Sequence, residues 1–592
     1  MRQIVALAGL LLMSGLEAPA AAKKKPAAKP APPSTSGIAQ RWLRSMTPAE
    51  RAAQLLMIHF YGDAPNTKSR AYRQYVTAVR ELRVGGLIVL NRVKNGIVQK
   101  ADPYQMAAFI NRMQRLAKVP LIVGGDFERG ASMRMTSTTE FPHLMAYGAA
   151  NDVQATFQLG KATAREARAM GVQWVFAPDA DVNNNPDNPV INTRSFSENP
   201  QVVAAHVKAF IEGAKSDPHY HVLTTVKHFP GHGDTVTDTH FGLGVVTASK
   251  ERMEEVELVP FRAAIAAGVD GVMSAHLHVP AFEPETLPAT VSKNILTGLL
   301  REELGFQGIA VTDAMNMQGL TSQFPAGESA VRALEAGADL LLVPANAQES
   351  VRAIVAAVKS GRLTQKRVDA SVLKILNAKV HVGLNRQKLV DLEKISDEID
   401  SPEDEEIAQR VAEKALTLVK NEGGLLPLRN PAASCHYILA AGRFSTQGRD
   451  LSDQLREGLH GSKVRLLDPQ LPVEEFDELA KDAAQCETVV VEAYVTASAS
   501  RGHVALSGNY PGFVDKLLAV GKPLAIVAFG NPYLLRTYPS VAAYLATYTT
   551  AAPAETAVVK ALKGELEVDG KLPVTIPGLA EYGFGLKLER IR

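Results

Sequence analysis

Short apolar runs recur between residues 54 and 345, each bounded by polar or glycine positions and separated by stretches of helical character. Their residues are continuously apolar, which is typical of parallel strands that helices cover on both faces. Eight strands that alternate with helices are the number that closes a (β/α)8 barrel of the TIM type. We therefore predict such an α/β barrel, with strands at residues 55–58, 86–90, 121–123, 174–176, 222–226, 271–273, 309–311 and 340–343.

A second α/β pattern follows an acidic segment at residues 389–404 that serine and proline punctuate. Residues 405–421 have the spacing of an amphipathic helix. Helical stretches then separate further apolar runs, which predicts a three-layer α/β sandwich with strands at residues 437–440, 464–467, 488–491 and 524–528. The predicted domains are a barrel at residues 39–387, a linker at 388–404 and a C-terminal sandwich at 405–592.

The N-terminal segment has the composition of an export signal. A basic start, an apolar run at residues 4–13 and small residues at 18–22 predict a signal peptide over residues 1–22. That run is too short to span a bilayer, and the sequence predicts no transmembrane segment elsewhere. Residues 23–38, rich in lysine, proline and alanine, predict a disordered spacer. We expect an exported protein, periplasmic or secreted.

The whole-chain composition narrows the class of partner. With 592 residues, of which 46% are hydrophobic and 21% charged, the chain has ordinary globular composition and the length of two or more domains. Its formal net charge of +2 gives no broad basic face, which argues against a nucleic-acid partner. A sugar or a neutral small molecule suits this charge balance, and the oligomeric state is left open. The only cysteines, Cys435 and Cys486, could pair in an oxidising compartment, but the sequence does not show that they are within reach.

Residues 227–240 form a polar cluster of three histidines, two aspartates and one lysine directly after the predicted strand at 222–226. The carboxyl ends of strands carry the active sites of (β/α)8 barrels. Asp238 and His240 are two positions apart, so an extended backbone would direct both side chains to one side. The aspartate would then hold one ring nitrogen while the other exchanges a proton with a substrate. An isolated Asp-x-His pair is more often a solvated turn, but the surrounding cluster favours a catalytic pair.

Asp313 directly follows the apolar run that ends the predicted strand at 309–311. In retaining glycoside hydrolysis a carboxylate in such a place attacks the anomeric carbon, while a second group protonates the leaving oxygen and later activates water. Asp313 and His240 could divide these tasks. The structural alternative for Asp313 is the N-terminal cap of the next helix.

Other polar groups near strand ends have the chemistry of sugar binding, in which carboxylates accept hydrogen bonds from hydroxyls and guanidinium groups donate them. Taken singly, each is more often a member of a surface salt bridge. The candidates for binding the sugar are Asp126, Arg134, Arg194, Lys227 and His228.

Four segments together resemble family 3 glycoside hydrolases, specifically their bacterial exo-acting β-N-acetylglucosaminidase branch: residues 126–134, 188–196, 227–240 and 308–317. The resemblance implies that Asp313 is the nucleophile and that His240, paired with Asp238, is the acid/base on a mobile loop. Most of the wider family uses a glutamate from the second domain instead. The resemblance also implies that the five binding candidates hold a terminal N-acetylglucosamine and that neither a metal nor a cofactor is needed.

Two positions depart from the pattern of that branch. Thr239 stands between Asp238 and His240 where the branch has serine, a change that keeps the hydroxyl. Residues 127–131 read Phe-Glu-Arg-Gly-Ala where the branch has Gln-Glu-Gly-Gly-Arg. The second change leaves open the role of Glu128 and the preference beyond the first sugar.

Several alternative functions stay open at the level of sequence. The nearest is a β-glucosidase or another family 3 exo-glycosidase, and phosphorolysis could replace hydrolysis because an imidazole repels phosphate less than a carboxylate does. A non-catalytic carbohydrate-binding protein is a second alternative. A metal-dependent hydrolase is a third, because ligand types suited to zinc, although in no established spacing, occur at His228, His232, Asp234, Asp238, His240, His276 and His278. Cell-wall muropeptides and chitin oligosaccharides are both compatible substrates.

Overall fold

The computed structural model describes residues 36–94, 97–497 and 502–591. The predicted signal peptide, residues 1–22, and the predicted spacer up to residue 35 lie outside this range. The last positions of that predicted spacer instead begin the helix Ser36–Arg44. Ala39 in this helix is fully buried, and the helix packs against Gln365–His381, so the chain belongs to the folded barrel from this point.

Eight parallel strands form a nearly closed barrel, and each corresponds to one of the predicted apolar runs. They are β1 Leu56–Phe60, β2 Gly86–Val89, β3 Ile122–Gly125, β4 Trp174–Val175, β5 Leu223–Phe229, β6 Gly271–Ser274, β7 Ile309–Thr312 and β8 Leu341–Leu342. Successive strands pair in parallel from β1 to β7, and β8 pairs with β1. A parallel bridge between Val311 and Leu340 brings β7 beside β8. Burial of nearly every strand residue explains why the runs are continuously apolar.

Helices surround the barrel, and polar caps set where several of them begin. Asp102 and Asn199 each accept hydrogen bonds from the first turn of a helix that starts with proline. Two segments, Thr77–Leu82 and Asn294–Glu303, are wound with the wider π turn. The α-helices of this domain are Ser36–Arg44, Pro48–Gln54, Arg70–Val76, Pro103–Leu116, Leu144–Ala150, Val153–Ala169, Pro200–Ala214, Lys250–Glu255, Leu258–Ala266, Gln318–Thr321, Ala326–Ala336, Ala347–Lys359 and Gln365–His381.

Two short strand pairs lie outside the barrel sheet. Gly244–Val245 pairs in parallel with Leu277–His278, and Arg92–Lys94 pairs antiparallel with the exposed segment Ile97–Gln99. The second pair follows β2, so it lies at the same end of the barrel as the residues that follow the other strands.

The second domain is a six-stranded mixed sheet with helices on both faces. Val489 and Val491 face one hydrophobic cluster while Val490 faces another, as expected when the side chains of a strand alternate between two covered faces. The strands are β9 Thr417–Asn421, β10 Ser434–Leu439, β11 Lys463–Leu467, β12 Thr488–Val495, β13 Leu524–Gly530 and β14 Ala543–Ala546, in the order β9-β14-β13-β12-β10-β11. The helices are Pro402–Ala415, Arg449–Gly458, Val473–Ala483, Tyr510–Ala519 and Ala552–Lys563. These layers agree with the predicted three-layer sandwich.

The predicted helix at residues 405–421 was wrong at both ends. The helix begins inside the predicted linker, at Pro402, because the Ser401 side chain accepts a hydrogen bond from the first turn. It ends at Ala415, after which Leu416 takes a non-helical ψ of 124°. The following residues form β9, which pairs antiparallel with β14. Neither strand was predicted, and β14 also pairs in parallel with β13.

Cys435 in β10 and Cys486 just before β12 form a disulfide whose Cα atoms are 5.9 Å apart. β10 and β12 are hydrogen-bonded neighbours, with Cys435 opposite Val489. This strand pairing brings the two cysteines within reach, which their positions in the sequence did not show. Within the described ranges, no helix is both long and apolar enough to cross a membrane.

Candidate active site

A cavity of about 380 Å³ lies at the carboxyl end of the barrel strands. Every predicted site residue lines it except Asp238, which supports a lining residue from behind. Lys227 and His228 belong to β5 itself and not to the loop after it. Asp126 follows β3 and Asp313 follows β7. Because parallel strands end at one rim of the barrel, residues far apart in sequence meet there.

Two carboxylates and three cationic side chains form a buried network on one wall of the cavity. Lys227 Nζ lies 2.9 Å from Asp126 Oδ1 and 2.7 Å from Glu128 Oε1. Arg194 donates to both carboxylate oxygens of Glu128, at 3.0 and 2.8 Å. Arg134 Nη2 donates to Asp126 Oδ2 at 3.1 Å. These mutual contacts fix polar groups of both signs in place, which suits them to the vicinal hydroxyls of a sugar.

The members of this network keep one another charged. Burial raises the pKa of Asp126, but Lys227 and Arg134 outweigh it, so this pKa lies below its ordinary value. Burial acts in the same way on Glu128, and Arg194 and Lys227 hold the pKa of that carboxyl well below its ordinary range. Burial lowers the pKa of Lys227, but the two carboxylates outweigh this and raise it overall. The network therefore stays ionised at neutral pH.

His228 is oriented by a carboxylate that the sequence analysis did not single out. Asp181 Oδ2 lies 2.7 Å from His228 Nδ1, and Asp181 Oδ1 accepts the backbone N–H of His232 at 2.6 Å. Burial lowers the pKa of His228 to about 4, so the ring is neutral at pH 7. With Nδ1–H donated to Asp181, Nε2 accepts from Arg194 Nη2 at 3.3 Å. The ring thus links the strand β5 to the ionic network.

Three side chains of the types that bind metal ions lie close together: one ligand atom each of Asp179, Asp181 and His228 lies within 4.8 Å of the others. The described residues contain no second cluster of this kind. Of these, only His228 belongs to the set that the sequence suggested for zinc. Asp181 and His228 hydrogen-bond to each other, and Asp179 Oδ2 lies 3.2 Å from Arg194 Nη2. Asp181 and His228 thus already engage each other's ligand atoms, and the guanidinium beside Asp179 repels a cation. This donor set does not fit a metal ion.

Asp313 is held at the end of β7 by its backbone N–H, which donates to Ser274 O at 3.0 Å. Its Oδ1 accepts the N–H of Ala314 at 2.7 Å. Burial raises the pKa of Asp313, but the imidazoles of His228 and His276 and this N–H outweigh it, so the pKa lies below its ordinary value. In the described part of the chain no lysine or arginine forms an ion pair with this carboxylate. Asp313 is therefore ionised and available to react.

The alternative role of Asp313 as a helix cap is wrong. The next α-helix begins at Gln318, and Met317 occupies its cap position without a side-chain hydrogen bond. The Asp313 carboxylate instead bonds to the very next residue, Ala314. Its position therefore serves the cavity and not the start of a helix.

Asp238 and His240 form the predicted pair, but by another backbone geometry. Asp238 Oδ1 lies 2.7 Å from His240 Nδ1 and also accepts the backbone N–H of His240 at 2.9 Å. The N–H of Phe241 donates to Asp238 O at 2.9 Å, which closes a turn. The predicted extended backbone is therefore wrong. The Asp238 side chain is 1% exposed and that of His240 31%, so a buried carboxylate holds Nδ1 and leaves Nε2 for the cavity.

Close packing holds the loop that carries this pair. A Cβ at Gly233 would lie 1.7 Å from the carbonyl oxygen of Val182, so only glycine lets the loop approach this backbone. Thr239 Oγ1 lies 3.3 Å from His232 Nε2. The threonine that replaces the serine of the branch thus uses its hydroxyl to connect the loop to the cavity wall.

The second domain completes the wall of the cavity. The backbone N–H of His143, in the barrel domain, donates to Oγ1 of Thr549, in the second domain, at 3.1 Å. His143 Nδ1 lies 2.8 Å from the same oxygen. Asn183 Nδ2 donates to Tyr533 OH at 2.8 Å. The second-domain residues that line the cavity are Gln447, Thr496, Ala497 and Thr550. None of these four is acidic.

Sequence reasoning missed residues that act through other residues. Glu128 was left open and Asp181 was not singled out, although both prove to be central partners of the binding candidates. A signal existed for Asp181, because it follows the predicted strand at 174–176 closely. The second-domain residues carry no such signal, since threonine and glutamine are common throughout the chain and only the packing of the two domains brings them to the cavity.

Comparison with known proteins agrees with this geometry. The profile of the glycosyl hydrolase family 3 N terminal domain matches residues 47–378, and that of the family's C-terminal domain matches residues 416–587. The chain is 30% identical over 568 residues to a protein from Cellulomonas fimi named beta-N-acetylglucosaminidase/beta-glucosidase, over 91% of this chain and 96% of that protein. It is 30% identical over 554 residues to beta-hexosaminidase A from Pseudoalteromonas piscicida, over 83% and 89%.

A solved structure extends the likeness to three dimensions. The glycoside hydrolase family 3 beta-N-acetylglucosaminidase from Paenibacillus sp. str. FPU-7 superposes with a TM-score of 0.80 at 33% identity, over 90% of this chain and 99% of that one. The matches cover both domains and more than half of the chain. The protein is a glycoside hydrolase and belongs to glycosyl hydrolase family 3.

Proposed function

We propose that the protein is a retaining exo-β-N-acetylglucosaminidase that removes terminal β-linked N-acetylhexosamine through a covalent ester of Asp313. One observation carries the proposal. An ionised Asp313 without a cationic partner and a His240 supported by Asp238 line the same cavity as the sugar-binding network. Retaining hydrolysis requires this combination of a nucleophile and a separate proton donor.

In the first step of the proposed reaction, a carboxylate oxygen of Asp313 bonds to the anomeric carbon as the glycosidic C–O bond breaks. His240 Nε2 gives its proton to the leaving oxygen, and the Asp238 carboxylate stabilises the imidazolium that acts as the donor. In the second step His240 takes a proton from water, whose oxygen displaces Asp313 from the anomeric carbon.

The terminal sugar is bound in this proposal by the five side chains that the sequence singled out. Ion pairs with Glu128 hold Lys227 and Arg194 in place, so that these donors keep fixed positions in the cavity wall. Polar groups held in fixed positions favour one orientation of a single bound sugar. The binding set is Asp126, Arg134, Arg194, Lys227 and His228.

The acetamido preference is supported by the names of the relatives from Pseudoalteromonas piscicida and Paenibacillus. A β-glucosidase is the second candidate function, because the relative from Cellulomonas fimi bears both activities in its name. The two sugars differ only at the 2-position, so the ratio of kcat/KM on the two glycosides separates the candidates.

The test measures initial rates of the purified protein on 4-nitrophenyl β-N-acetylglucosaminide and on the matching β-glucoside, with and without EDTA. We expect EDTA-insensitive preference for the acetamido sugar. Asp313→Asn should abolish turnover, because an amide cannot form the glycosyl ester, and His240→Ala should reduce it by about 10² or more. A preference for the glucoside would show that the substrate is a β-glucoside and would leave the family assignment unchanged. Inactivation by EDTA with recovery on zinc would replace the proposed mechanism, and binding without turnover of either sugar would make the protein a carbohydrate-binding one.

We propose further that the protein is exported and acts on cell-wall or chitin-derived saccharides. The disulfide between Cys435 and Cys486 supports an oxidising compartment, and the composition of residues 1–22 supports a signal peptide. Fractionation of cells that express the full chain, with sequencing of its mature N-terminus, tests export. Release of N-acetylglucosamine from purified muropeptides and from chitobiose, compared side by side, chooses between the two substrate classes.

A further inference from the structure

The cavity wall carries more positive charge than its own carboxylates balance. Its lysine and arginine side chains are Lys100, Arg129, Arg134, Arg194 and Lys227. Three of them are paired, because Arg134 and Lys227 contact Asp126, while Arg194 and Lys227 contact Glu128. The remaining two, Lys100 and Arg129, form no ion pair with any residue that the structure describes.

Arg129 has a hydrogen-bond donor that no residue satisfies in the described part of the chain. Its Nη1 is buried without a hydrogen-bond partner among the described residues. Burial lowers the pKa of Arg129, and the carboxylate of Glu140 opposes this from beyond ion-pair distance. An unpaired buried guanidinium N–H costs free energy unless a ligand or water accepts from it.

The backbone fixes where Arg129 stands. On one side Glu128 is 4% exposed and locked by Arg194 and Lys227. On the other side Gly130 has φ +83° and lies so close to Phe141 that an added Cβ would be 2.8 Å from its ring. The chain at Arg129 is thus held from both neighbours, and the Arg129 side chain lines the cavity.

Lys100 belongs to the same part of the wall. It directly follows the exposed strand Ile97–Gln99, and Val98 of that strand also lines the cavity. The neighbouring Ala101 donates its backbone N–H to Arg134 O at 2.8 Å, which brings residue 100 beside the segment that carries Arg129, and both cations line the cavity.

We propose that Arg129 and Lys100 form an oxyanion subsite in this wall, which takes a carboxylate or phosphate group next to the sugar held by the buried network. The inference rests on the proposed function, since it assigns the neighbour of the sugar in that same cavity. A guanidinium fork matches the two oxygens of such groups, and a nearby ammonium adds charge without a geometric demand. The subsite lies in the segment, residues 127–131, where the sequence departs from the branch.

Two sources can supply this chemistry. One is an acidic substituent on the leaving group of the substrate. The other is inorganic phosphate that replaces water in the second step. In that case a phosphate oxygen bonds to the anomeric carbon, the bond to Asp313 breaks with its electron pair returning to the carboxylate, and the proton of the phosphate hydroxyl moves to His240.

The experiment compares two aryl β-N-acetylglucosaminides that differ only in the aglycone, one with a free carboxylate and one with its methyl ester. We expect the wild-type ratio of kcat/KM, carboxylate over ester, to be about tenfold and to fall towards one in Arg129→Gln. Arg129→Lys should retain part of the ratio, and added salt should reduce the wild-type ratio. Lys208→Gln, which removes a lysine with a 58% exposed side chain on a surface helix, is the matched control and should leave the ratio unchanged.

Two further arms identify the source and keep the inference separate from the proposed function. Turnover of the ester in phosphate buffer is followed by ³¹P NMR for sugar 1-phosphate, and phosphate binding is measured by calorimetry on wild type and Arg129→Gln. A carboxylate preference that Arg129→Gln abolishes supports the subsite and assigns it to the leaving group. Sugar 1-phosphate whose formation Arg129→Gln abolishes supports it and assigns it to phosphate. The subsite is overturned if the enzyme shows no preference for the carboxylate and phosphate binding does not depend on Arg129. If the enzyme does not turn over the ester, the proposed function is overturned, and the calorimetry alone decides whether the subsite exists.

Discussion

Glu128→Gln is the substitution that most directly tests the ionic network of the cavity. Glu128 is 4% exposed and contacts two cations at once, Arg194 through both carboxylate oxygens and Lys227 at 2.7 Å. Glutamine has the same shape, so the change removes the negative charge without leaving a cavity. One of its two terminal atoms becomes an NH2 group that faces a cationic donor and cannot accept from it.

The expected loss of stability follows from what remains for the two cations. Removing one partner of a fully buried ion pair costs about 3–5 kcal/mol. Here the cost falls at the lower end, because Arg194 keeps Asp179 at 3.2 Å and Lys227 keeps Asp126 at 2.9 Å. We therefore expect Glu128→Gln to lower the free energy of unfolding by about 3 kcal/mol. We also expect kcat/KM on the N-acetylglucosaminide to fall by about 10², because the binding groups lose their fixed positions.

The chain offers a matched control in Glu328, which also contacts two arginines. Its carboxylate pairs with Arg362 at 2.8 Å and with Arg332 at 2.6 Å, but on an outer helix where its side chain is 32% exposed. Solvent screens such a pair, so Glu328→Gln should cost about 1 kcal/mol or less and leave kcat/KM unchanged. Thermal unfolding and initial rates of both variants decide the matter. Equal stability of the two variants, with full activity in Glu128→Gln, would refute the view that the buried network holds the site.

Three further predictions concern other parts of the molecule. Asp238→Asn should lower kcat/KM by about 10², because His240 Nδ1 then loses the carboxylate that holds the ring in place. The loss should be larger for an alkyl than for a nitrophenyl leaving group, whose oxygen needs less proton donation, and equal losses on both would contradict the acid role. Burial lowers the pKa of His206 to about 4, so the folded state binds fewer protons than the unfolded chain. This effect leaves the free energy of unfolding unchanged above pH 6.5 and lowers it by about 1.4 kcal/mol for each pH unit between 6.5 and 4. In His206→Gln a plot of Tm against pH should therefore be flatter in this range than in the wild type. Removal of the disulfide by a Cys435→Ser/Cys486→Ser double substitution should lower the stability of the second domain by about 2–4 kcal/mol, since it closes a loop of 51 residues, as denaturant unfolding would show.

The sequence predicted the barrel well because its signal is local. Most barrel strands contain a short apolar run, and Asp313 directly follows β7, so the position of this carboxylate follows from the end of a strand. Lys227 and His228 were found in the same way. The parts that failed depend on partners distant in sequence. The helix predicted over residues 405–421 ends at Ala415 because β9 pairs with β14, which lies more than a hundred residues later.

The site shows the same division between local and distant information. The pairing of Asp238 with His240 was predictable from their spacing, but the turn that achieves it was not, since it depends on the Phe241 N–H and on the close approach of Gly233 to Val182. The partners of the binding residues were hidden for a different reason. Glu128 is an acid in a polar stretch, and only the fold shows that it is buried between two cations.

In the proposed mechanism, the separation of charges in the cavity lets the same wall bind a sugar and keep Asp313 reactive. A carboxylate paired with an arginine or lysine is a poor nucleophile, because the cation stabilises the charge that must attack. Arg194 and Lys227 are engaged by Glu128 and Asp126, and this leaves Asp313 with the Ala314 N–H as its donor at 2.7 Å. In Glu128→Gln these two cations would lose one of their carboxylates in the cavity that Asp313 also lines, and the added net positive charge there would stabilise the Asp313 carboxylate. The variant should therefore lower kcat as well as raise KM, whereas simple loss of sugar binding would change KM alone.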